Sequence, residues 1–94
     1  MANKKINRFI YEIVEIDNID SYNNVHFKIK LNENQTQHIV MTPKMMNYLK
    51  LPRTPKPKDY VMCVPTFPTN KKYGVMYRVI DYALREEPNV WLRK

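Results

Sequence analysis

The sequence predicts a mainly β fold: a small five-stranded barrel with one short helix between strands 3 and 4. Three observations carry that expectation. Residues 25–31 alternate strictly, with Val25, Phe27, Ile29 and Leu31 on one face and His26, Lys28 and Lys30 on the other, which is the pattern of a half-buried strand. Arg8 to Ile16 is a run of β-branched and aromatic residues suited to a long first strand. Thr42-Pro43 opens a helix with a hydroxyl N-cap and a proline at the first helical position.

The elements follow in order. Met1 to Asn7 is polar and reads as a frayed terminus. The first strand is apolar on both faces, Phe9, Tyr11 and Ile13 on one and Ile10, Val14 and Ile16 on the other. Such a strand is covered on both sides, or it bends so that each end serves a different half of a sheet. Asp17 to Asn24 is a turn-forming cluster. Asn32-Glu33-Asn34 reads as a hairpin loop between strand 2 and a third strand, Gln35 to Met41. A three-residue loop pairs residues whose numbers sum to 66. Val25 then faces Met41 and Phe27 faces Ile39 on the inner side, while Lys28 faces His38 and Lys30 faces Thr36 on the outer side.

The helix places Met45, Tyr48 and Leu49 on one face and ends by Leu51, because Pro52 disfavours helix at the residue before it. Met45 and Met46 read as core filling. Pro52 to Lys58 is an extended, solvated loop. Tyr60 to Val64 is the fourth strand, Pro65 to Tyr73 a loop, Gly74 a turn, and Val75 to Leu84 the fifth strand. The tail, Arg85 to Lys94, carries Val90, Trp91 and Leu92, and it either packs on the body or docks a partner.

Ninety-four residues make a single domain over 1–94. The net charge is +7, which favours polyanions. Residues 1–47 hold six basic and five acidic side chains, a net of +1, whereas residues 48–94 hold ten and four, a net of +6. The single cysteine, Cys63, excludes an intramolecular disulfide and lies in an apolar run, where a buried thiol is expected. A lone thiol and the lack of a signal-peptide pattern lead to the expectation of a cytoplasmic setting. No apolar run approaches the length of a membrane span.

Several chemistries lack their residues. One glycine cannot build a phosphate cradle. Two histidines and one cysteine fall short of a zinc set, and His26 and His38 are expected to titrate independently as surface groups. No nucleophile–base arrangement stands out, and Asp59 and Asp81 are not singled out as acids. The expectation is a binding protein without metal, cofactor or enzymatic activity.

Five strands with a helix between the third and fourth, and a long two-faced first strand, resemble the OB-fold over about residues 8–84. One departure is that OB first strands often bend at a glycine or a bulge, and this strand has no glycine. An SH3-like barrel or another small β-roll fits nearly as well. The resemblance implies a small single-strand-binding or replication-accessory protein. Richness in Asn, Lys, Ile and Tyr is similar to that of proteins from AT-rich phages and mobile genetic elements.

In OB-folds nucleic acid lies across strands 2 and 3 and the flanking loops. Carried over here, the resemblance implies a surface of His26, Lys28, Lys30 and His38, with Thr36 beside them. Tyr22 lies in one loop, and Phe67, Lys71, Lys72 and Tyr73 in the other. Cations meet phosphates and aromatic rings stack on unpaired bases. Arg53, Lys56 and Lys58 form a second basic cluster, which Arg78 and Arg85 extend. Single-stranded DNA is the favoured ligand, with a polymerase, primase or helicase as companion. The alternative is a protein–protein adaptor, either a small enzyme subunit or a phage-type inhibitor of a host enzyme, anchored through Val90, Trp91 and Leu92. A structural or virion component is a third possibility.

Overall fold

The computed structural model describes residues 9–66 and 76–93, without the side chains of Thr66 and Met76. Its elements are β1 (Phe9–Ile19), β2 (Val25–Asn32), β3 (Gln35–Met41), α1 (Pro43–Tyr48), β4 (Tyr60–Thr66) and β5 (Met76–Ala83). The strands form one antiparallel sheet in the order β3-β2-β1-β4-β5, curled into an OB-like half-barrel whose edges are β3 and β5.

β1 is the hinge of this sheet. Its first part, Phe9 to Glu12, pairs with β4, and its second part, Ile13 to Ile19, pairs with β2. Ile13 joins the two. It faces Ile29 on the β2 side, donates its N–H to the Asp59 carbonyl at 2.8 Å and accepts the Lys58 N–H at 2.7 Å. The strand bends without glycine because register shifts fall between Ile13 and Glu15 and between Ile16 and Asn18. Each shift adds a residue to one strand and sharpens its twist. The first also lets Ile13 and Ile16 pack on the same core while Val14 stays exposed.

Part of the expected Asp17–Asn24 turn is therefore strand. β1 runs on to Ile19, and the turn is confined to Asp20–Asn24. The Asp20 carboxylate accepts the N–H groups of Tyr22 at 2.9 Å and Asn24 at 3.0 Å. Asn23 takes the left-handed backbone, φ 67°, which Asn tolerates better than most residues.

The β2–β3 register has Val25 opposite Met41, Phe27 opposite Ile39, Lys28 opposite His38 and Lys30 opposite Thr36, the pairs expected from numbers summing to 66. The loop differs. Asn32 pairs with Gln35 after an irregularity at Leu31, so the connection is Glu33-Asn34 alone. The Asn32 side chain accepts the Asn34 N–H at 2.8 Å and stabilises that tighter turn.

α1 starts at the expected cap, with Thr42 Oγ1 accepting the Met45 N–H at 3.1 Å. Lys50, at φ 58°, ends it by accepting a left-handed backbone usually left to glycine. Leu49 is buried, Met45 and Met46 pack against the core, and Tyr48 is 59% exposed rather than sharing their burial. The core itself joins both halves of the sheet through Ile13, Phe27, Ile29, Met41, Val61, Cys63 and Tyr82. β4 continues two residues past Val64, through Pro65. β1's described pairing ends at Cys63, so the proline lies beyond the stretch where β4 is flanked on both sides. Among the described residues no helix is long and apolar enough to cross a membrane.

Candidate nucleic-acid interface

The outer face of β2 and β3 presents His26, Lys28, Lys30, Thr36 and His38 together, but much of its charge is answered locally. Lys28 Nζ donates to Asp17 at 2.8 Å, which raises the pKa of the lysine. His26 and His38 do not stand apart. Their rings lie edge to edge and nearly coplanar, 5.2 Å between centroids and 14° between planes. His26 Nδ1 is 3.0 Å from His38 Nε2, and His26 Nε2 is 2.8 Å from Asp20 Oδ2.

A neutral imidazole carries one N–H. With an ionised Asp20 as acceptor, His26 holds its proton on Nε2, and its Nδ1 accepts from His38 Nε2–H. His38 Nδ1 is left as the acceptor end of the chain. The His26 hydrogen bond, with help from backbone amides, holds Asp20 at about 2, below the ordinary 3.8. These contacts correct the expectation of two independent surface histidines. Diagonal positions on the adjacent strands β2 and β3 bring the rings together, and Asp20 fixes the first of them. Lys30 is exposed and Tyr22 is 78% exposed in the β1–β2 turn.

The second expected cluster divides. Lys56 and Lys58 are exposed. Arg53 is committed to the fold: its guanidinium forks onto the Asp59 carboxylate at 2.9 and 2.8 Å and reaches Glu86 at 2.6 Å. Asp59 is fully buried. It also accepts from the Tyr82 hydroxyl at 2.5 Å and from the backbone N–H groups of Lys56 at 2.9 Å and Arg85 at 2.8 Å. Burial alone would raise its pKa, but these donors, Arg53 foremost, bring it below the ordinary value. The Pro52–Lys58 segment is thus a strap with buried Pro55 rather than a wholly solvated loop. One carboxylate draws it against β5.

The tail packs on the body. Trp91 bridges Ala83, and the Leu92 N–H donates to the Tyr82 carbonyl at 2.9 Å. The Arg93 N–H donates to Asp81 Oδ1 at 2.8 Å. Leu92 lies against the core and Trp91 is half-buried, so of the expected docking residues only Val90 stays exposed. Phe67, Lys71, Lys72 and Tyr73 lie outside the described residues.

A different basic site emerges between α1 and β5, one of the sheet's two edge strands. An open groove of about 400 Å³ is lined by Thr42, Lys44, Met45 and Tyr48 from α1, Arg78, Val79 and Ile80 from β5, and Arg93 from the tail. Three cations and an exposed tyrosine surround an apolar floor, and among the described residues no carboxylate lines it. The Arg93 guanidinium sits 5.4 Å from the centre of the Tyr48 ring. Lys44 and Tyr48 are four residues apart and share a helix face, a signal visible in sequence. Nothing local in the sequence announces that Arg78 and Arg93 join them.

No family model, curated protein or solved structure matches the chain.

Proposed function

We propose that this domain binds nucleic acid, single strands in preference to duplex, as an accessory to replication or DNA-processing machinery. The observation that carries the reading is an imbalance of charge at the surface. Of the ten Lys and Arg among the described residues, only Lys28 and Arg53 stand in ion pairs. Meanwhile Asp17, Asp20, Asp59 and Glu86 are occupied by those cations and His26, and Asp81 by backbone amides. Among the described residues that leaves eight Lys and Arg outside ion pairs against four remaining carboxylates, Glu12, Glu15, Glu33 and Glu87, and a chain of phosphates releases its counterions on binding the surplus cations. An OB-like half-barrel with exposed tyrosines favours unpaired bases, whose faces are open to stacking.

Fluorescence anisotropy with a labelled oligothymidylate and a matched duplex tests this at about 50 mM salt and again at about 200 mM. The reading expects tighter binding to the single strand and a steep loss with salt. No binding to either at the lower salt overturns it.

A further inference from the structure

We infer that a single strand is held in the groove between α1 and β5, its phosphates on Lys44, Arg78 and Arg93 and an unpaired base on the Tyr48 ring. This rests on the nucleic-acid reading and assigns it a place distinct from the outer β2–β3 face.

Charge separates the two surfaces. On the β2–β3 face Lys28 is bound to Asp17, His26 to Asp20, and Glu15 lies opposite Lys28 across the β1–β2 ladder. A phosphate arriving there meets carboxylates beside Lys28 and His26, and among the described residues only Lys30 on that face is a cation without an ion pair. The groove has three cations, and none of them is ion-paired among the described residues. Like charges gathered around one concavity repel one another, and an anion relieves that repulsion, so the arrangement favours a polyanion over a neutral ligand.

The floor and ring specify the rest. Met45, Val79 and Ile80 give an apolar floor suited to the face of a base. Tyr48 is exposed, and its ring already carries a planar cation, the Arg93 guanidinium. A base that stacks on Tyr48 displaces that guanidinium and frees it to meet the adjoining phosphate. The tail backbone stays in place, because Leu92 and Arg93 are held through their own N–H groups. Bases inside a duplex have no free face, so this exchange discriminates against double strands. The volume, about 400 Å³, lies at the small end of ligand clefts and suits a short stretch of strand.

The test compares two charge swaps of equal size by anisotropy with labelled oligothymidylate: Lys44→Glu with Arg78→Glu in the groove, and Lys30→Glu with Lys56→Glu outside it. All four positions are exposed, and thermal unfolding checks that each variant folds. The groove swap is expected to weaken binding about tenfold or more, and the outer swap much less. Tyr48→Ala is expected to weaken single-strand binding about fivefold or more, Tyr48→Phe to restore it, and duplex binding to ignore both. Equal losses from the two swaps overturn the groove and leave nucleic-acid binding standing. A wild-type protein that ignores the oligonucleotide but binds a poly-glutamate peptide, lost in the groove swap, overturns both readings. It would make the site a seat for an acidic segment against the β5 edge.

Discussion

Arg93 and Tyr48, one from the tail and the other from α1, share a wall of the groove with the guanidinium 5.4 Å from the ring centre. The contact lies at the surface, where cation–π pairs are worth about 0.5–1 kcal/mol. Arg93→Ala should therefore shift the thermal midpoint only slightly, since Leu92 still packs on the core and the backbone of residue 93 still binds Asp81. A large drop in differential scanning calorimetry would mean that the side chain, and not the backbone, holds the tail.

Asp59 is the reverse case. It is fully buried and gathers donors from Arg53, Lys56, Tyr82 and Arg85. Asp59→Ala strands a half-buried guanidinium and a buried tyrosine hydroxyl, a loss of the order of 3–5 kcal/mol for breaking a buried pair. Urea denaturation should show a large fall in midpoint with little change in slope.

Acid should act through the same group and through Asp20. Both have folded values below the ordinary 3.8, and Asp20 falls to about 2. On acidification the unfolded chain takes up these protons first, so their stabilisation is full above the unfolded value and drains away below it. Stability measured by denaturant titration should be level from neutrality to about pH 5 and fall steadily below about pH 4. For Asp20→Asn that acid slope should be shallower. An unchanged slope would remove Asp20 from the account.

The Asp20–His26–His38 chain predicts a fixed tautomer. Nitrogen-15 NMR at neutral pH should find His26 protonated on Nε2 and bare on Nδ1, with His38 protonated on Nε2. Asp20→Asn should loosen that preference in both rings. Averaged, independent tautomers in the wild type would contradict the contact.

Cys63 is fully buried between β1 and β5, and burial pushes its thiol up to about 12. Thiol reagents at about pH 8 should leave the native protein untouched and react only as it unfolds. Fast labelling of folded protein would place the thiol at the surface.

What could be read ahead of the structure was local. Alternation over 25–31 dictated which side chains of β2 face inward, and Val25, Phe27 and Ile29 are buried as that pattern requires. Thr42-Pro43 marked the helix start, because a cap is a matter of neighbouring residues. The two-faced apolar run in β1 implied a strand serving both halves, yet the bend comes from register shifts near Val14 and Asp17, which no residue type advertises. The long-range features were hidden. Arg53 looked like a free surface cation because Asp59 needed the strap to turn back before it could receive the guanidinium. The groove draws Lys44, Tyr48, Arg78 and Arg93 from three elements, and only the packing of tail and helix against β5 makes them neighbours.

The most direct test of the surplus-cation account is the salt dependence of oligothymidylate binding. Each phosphate contact on a single strand contributes a slope of about −0.7 to the logarithm of affinity against that of salt. Three groove cations should give about −2 for the wild type, and Arg78→Ala should reduce the slope by about 0.7. A slope near zero, or one that Arg78→Ala leaves unchanged, would contradict the claim that these cations meet phosphates.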